Sequence, residues 1–114
     1  MHATWIATRT PPAPDPFRAH LMDGMSARTD LEARPRADAL IEVGDAALGR
    51  VLTHECGTAP VSRENALDLL SADAFVTYAF EAAADEPATI ASRADAAMRR
   101  VSARAVTILN AEPR

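Results

Sequence analysis

The sequence predicts an all-α fold, a compact antiparallel bundle of three to four helices. Three observations predict it. Of the 114 residues, 26 are Ala and 12 are Arg with no Lys, and these are strong helix formers. Aromatic residues make up 4%, too few for a β-sandwich or barrel. Apolar residues recur at helical spacing through three long segments.

The first long segment covers about 36–55. Ala37, Leu40, Ile41, Gly44, Ala47, Leu48, Val51 and Leu52 form one apolar stripe, as expected of a helix with one core-facing side. Thr29-Asp30-Leu31-Glu32 has the spacing of a capping box, and Pro35 suits the start of the helix. Gly44 and Ala47 invite the close approach of a second helix. Gly57 and Pro60 are the expected stop, as cap and breaker.

The second segment, 62–84, opens on Ser62 as N-cap with Val61 as its hydrophobic staple. Ser71 offers a second N-cap, so the expectation is two helices, 63–70 and 72–84, with one unbroken helix as the alternative. At about 100° per residue this stretch is apolar on two opposite faces. Leu67, Ala74, Phe75, Tyr78, Ala79 and Ala82 share one, expected to pack against Leu48, Val51, Ala94 and Val101. Leu69, Val76, Phe80 and Ala83 share the other. A helix apolar all round is covered all round, and a chain this short has few helices to supply the cover. The second face is therefore read as a homodimer interface.

Asp85-Glu86-Pro87 ends this segment and opens the third, about 87–109, with charge and ring suited to a helix N-terminus. Its expected core stripe is Ile90, Ala91, Ala94, Ala97, Met98, Val101, Ala105, Ile108 and Leu109. Asn110 and Pro113 mark its end, leaving 111–114 as a tail. The bundle domain is thus 29–110.

Residues 1–28 read as a flexible Pro-rich arm. Pro11, Pro12, Pro14 and Pro16 crowd six positions and favour an extended segment over a helix. Gly24 and Ser26 interrupt the short apolar pattern of Phe17–Met22. Such an arm is a disordered tail, or a strap for an aromatic groove. Met22 and Met25 are also candidate start sites, which would leave the arm untranslated.

A formal net charge of −4 disfavours nucleic-acid and anionic-membrane binding, which draw on a positive field. No stretch approaches the ~20 apolar residues of a membrane span, and a cytoplasmic location is expected by default. No catalytic motif is found and no cofactor is expected. The Gly residues are scattered, so there is no phosphate loop, and Gly-x-Ser-x-Gly is absent. Glu42, Asp45 and Glu55 match no metal-ligand spacing, nor do the His residues. Arg93, Arg100 and Arg104 share one helix flank, either as an anion patch or as a solvated flank paired with acidic neighbours. Phe75, Tyr78 and Met98 are the candidate lining of an inter-helix pocket, with Tyr78 as its polar handle.

The function expected from all this is a non-enzymatic helical interaction module. It would be a homodimer or bind another protein partner, with a regulatory role. The alternative is a small-molecule binder or enzyme built on the inter-helix pocket.

His54 and Cys56 lie two apart at a helix end, and side chains so spaced diverge. A helix C-terminus also disfavours a thiolate. Cys56→Ser and His54→Gln are therefore expected to fold and associate as the parent does. Metal analysis that found one zinc per chain, lost in Cys56→Ser, would show otherwise.

Overall fold

The computed structural model describes residues 1–55 and 63–111, with side chains except at 54, 55, 109 and 111. Within them are five α-helices: α1 His2–Ile6, α2 Asp15–Ser26, α3 Arg36–Glu55, α4 Arg63–Ala83 and α5 Ile90–Ala111. Short 3₁₀ turns, Thr29–Leu31 and Pro87–Thr89, lead into α3 and α5. The all-α bundle is as expected. Expectations on Cys56, Gly57, Pro60, Val61, Ser62 and Pro113 lie outside the described residues.

The framework is the antiparallel pair α3 and α4. The helices approach closely at Gly44, where an added Cβ would stand 3.2 Å from both Phe75 Cβ and Val76 Cγ2. An Arg50–Asp68 ion pair at 3.2 Å ties them nearer the other end. The stripe on α3 is inward as expected: Ala37, Leu40, Ala47 and Val51 are buried, and Ile41, Leu48 and Leu52 are half-buried.

α4 does not break at Ser71. The side chain is buried and its Oγ donates to the Leu67 carbonyl at 2.8 Å. That bond satisfies the hydroxyl inside the helix, so it does not compete for a cap. The 29–32 capping box does not form either: the turn Thr29–Leu31 carries no side-chain cap. Asp30 instead accepts both arms of the Arg28 guanidinium at 3.0 Å, and Glu32 faces the Met1 ammonium at 3.4 Å. Asn110 lies within α5 rather than capping it.

The larger correction concerns residues 1–28. They form α1 and α2, and they supply much of the core: Ile6, Leu21 and Met25 are buried with Leu31, Leu40, Val43, Phe75 and Ala79. Phe17, Leu21 and Met25 recur every four residues, giving α2 one apolar stripe. The Pro residues do not oppose this. Pro11, Pro12 and Pro14 lie between the helices, and Pro16 occupies the first turn of α2, where its missing N–H costs nothing. Gly24 is tolerated mid-helix, where an added Cβ would stand 3.8 Å from Phe75 Cζ. Ala39 and Val43, outside the expected α3 stripe, are buried because this N-terminal layer covers them.

The layer is pinned along its edge. The His2 ring is buried, its Nε2 bonded to the Arg34 carbonyl at 3.1 Å. Trp5 meets Tyr78 edge-on at 6.3 Å between ring centres, and the Arg9 guanidinium lies 3.8 Å from the Trp5 ring centre.

Leu21→Ala should lower the free energy of unfolding by about 2–5 kcal/mol. Denaturant titration followed by the emission of Trp5, the sole tryptophan, measures it. A mobile arm would leave both stability and emission unchanged.

Candidate functional site

α5 lies parallel to α3 and is joined to it by ion pairs. Arg93 Nη1 reaches Asp38 Oδ1 at 2.5 Å. Arg100 Nε donates to Asp45 Oδ2 at 2.9 Å and its Nη2 reaches Glu42 at 3.1 Å. Arg104 adds Nε to Asp45 Oδ1 at 3.0 Å and Nη2 to Oδ2 at 2.8 Å. Asp38 and Asp45 are seven apart, as are Arg93 and Arg100. Seven residues is close to two helical turns, so on parallel helices the two rows stay in register.

Asp45 is 4% exposed and receives two guanidinium groups. Its burial acts to raise the carboxyl pKa, but hydrogen bonds from Arg104 and Arg100 outweigh this and hold it below the ordinary value. Glu42 shows the same balance, with burial opposed by Arg100 and Arg34. Gly49 makes room for this arrangement, since a Cβ there would collide with the Arg104 guanidinium. The arginines are therefore not an open anion patch. Each is engaged with carboxylates of α3.

The apolar side of α5 is not core. None of its described side chains is buried; Met98 is 69% exposed, Val101 38% and Val106 55%. Ala94 and Ala97 are half-buried but short. An apolar groove of about 670 Å³ therefore remains between α3, α4 and α5, lined by Leu48, Leu69, Val76, Phe80, Ala94, Met98 and Val101 among others. A recess of about 340 Å³ adjoins it, sharing Ile41, Phe80, Ala97 and Arg100.

This corrects three placements. Phe75 and Ala79 face the N-terminal layer and α3, whereas Leu48, Ala94 and Val101 line the groove with Val76 and Phe80. Of the expected interface residues, Leu69 (53%) and Val76 (38%) are exposed and Phe80 is half-buried, but Ala83 is buried in the monomer. Of the expected pocket lining, only Met98 borders the groove. Phe75 is core, and Tyr78 packs against Trp5. Burial and the nearby Glu81 raise the Tyr78 pKa.

Sequence reasoning missed the role of Asp38 and Asp45. Their signal was the spacing of seven that matches Arg93 and Arg100. Among the described residues no three His, Cys, Asp or Glu side chains are grouped to hold a metal. None of their helices is long and apolar enough to cross a membrane. Compared with known protein families, curated proteins and solved structures, the chain matches none.

Because the Asp45 and Glu42 carboxyls are depressed in the folded state, their contribution is complete above the ordinary carboxylate range. It is lost as pH falls through and below that range. Thermal unfolding across an acid series should show stability falling there, with a shallower fall in Asp45→Asn. Parallel acid limbs for parent and variant would refute the assignment.

Proposed function

We propose that this protein is a non-enzymatic helical interaction module that self-associates as a homodimer through the mouth of the groove between α3, α4 and α5. The observation that carries this reading is the contrast between the two sides of α4. On one side Phe75 and Ala79 are closed in by large side chains from α1 and α2. On the other, Leu69, Val76, Met98 and Val101 surround a cleft that Ala94 and Ala97 do not fill. A contiguous exposed apolar patch typically marks an interface. A second copy presents the same apolar side chains, and a twofold arrangement of them is self-complementary. Met98, exposed and flexible, is the side chain best able to enter the partner's cleft. Leu69, Val76 and Phe80 form the centre of this surface. A regulatory role and a cytoplasmic location complete the reading, with no nucleic acid or membrane as partner.

One observation favours a second reading. A cleft of about 670 Å³ falls within the usual size of small-molecule pockets, and the Asp45–Arg100 pair supplies a polar end. Under that reading the protein binds a largely apolar small molecule.

Light scattering decides between them. The parent should have the mass of a dimer, and Leu69→Asp should be a monomer with unchanged helicity. A monomeric parent ends the homodimer reading and leaves the ligand reading, to be tested by fluorescence of an apolar dye in the presence and absence of competing small molecules.

A further inference from the structure

We infer that α5 is a releasable cover: it leaves the α3–α4 pair as a unit while α1–α4 stay folded, and its departure widens the apolar groove beneath it. The releasable cover is a property of the single chain, since a dimer through the groove mouth, where Met98 and Val101 of α5 stand, would hold the cover shut.

The grounds are in how α5 is held. The buried core is drawn from α1 to α4 and the 3₁₀ turn before α3, and it contains no α5 residue. Removing α5 therefore opens no hole in that core. Of the α5 side chains that line the groove, Ala94 and Ala97 are short, while Met98 is 69% and Val101 38% exposed. Apolar attraction scales with the area buried, so these side chains hold it weakly.

The remaining attachment is concentrated in Arg93, Arg100 and Arg104 on the α3 carboxylates. In the closed state Asp45 is out of water, with its partners only 35–39% exposed. When the whole helix lifts, both halves of the clasp return to water together. No charge is left buried without a partner, which is what makes cutting one half of a buried pair so costly. A cover held by polar contacts over a space it does not fill is poised to open. The turn at Ala84–Glu86 and Pro87 is the hinge, because it is where the helical backbone is already interrupted between α4 and α5.

Gly49 provides a selective way to loosen the clasp. Its substitution by Ala places a methyl group where the Arg104 guanidinium lies, while Ala itself suits the interior of α3 better than Gly. The variant should therefore stay folded with its Arg104–Asp45 contact displaced.

Amide hydrogen exchange on the intact chain, read by peptide mass, tests this. In the parent, amides of 94–108 should exchange at least about tenfold faster than those of 66–80, as expected of a unit that opens below the global unfolding free energy. The gap should widen between about 0.1 M and about 1 M salt, where the screening length falls from about 10 to about 3 Å. Gly49→Ala and Arg104→Gln should each speed exchange in α5 several-fold and leave 66–80 as in the parent. Protection of α5 in step with α4, or exchange in α5 indifferent to salt and to both variants, overturns the inference. Should the parent be a dimer, the same exchange is read in the monomeric Leu69→Asp variant, so that protection by a partner copy is not mistaken for a closed cover.

Discussion

The close antiparallel contact of α3 and α4 at Gly44 is the constraint from which the rest follows. With no side chain at Gly44, the Phe75 and Val76 side chains of α4 lie against the α3 backbone. The pair then acts as a two-faced slab. Each face needs cover, and the chain supplies two kinds. The N-terminal helices bring Ile6, Phe17, Leu21 and Met25 to one face and close it. On the other face α5 brings the short Ala94 and Ala97 and the exposed Met98 and Val101 to the groove, and the gap persists. The apolar area actually buried separates a sealed core from an open cleft, since apolar attraction scales with it.

Electrostatics compensates on the open side. Where α5 lacks apolar reach it has guanidinium groups, and α3 answers with Asp38, Glu42 and Asp45. Such pairs fix register better than they add stability, because desolvation offsets much of the attraction. The matched spacing of seven makes one alignment of the parallel helices better than its neighbours. The result is a helix that is well positioned and weakly buried.

Much of this was legible in the sequence. The bounds of α3 and most of its inward stripe follow from periodicity, and so does the two-faced nature of α4. Gly44 was readable as a point of close approach. What was not legible has physical causes. Pro density pointed to an extended arm, yet the rings sit in a connection and a first turn, where they cost a helix nothing. Ser71 looked like a cap, but a buried hydroxyl can bond back to the preceding turn. The arginines of α5 could be read as an anion patch or as a flank paired with acidic neighbours, and their partners on α3 could not be named because they lie 55–59 residues away in sequence. Single-helix patterns do not say which rows will meet.

The use of Arg on both faces has a consequence for chemistry at the bench. Every basic side chain apart from His is Arg, so no side chain of the sequence offers an amine to an acylating reagent. The guanidinium groups that lie over Trp5 and on Asp45 are therefore untouched by amine-selective chemistry. Amine-directed cross-linkers and dyes leave both the sealed face and the open cleft as they are.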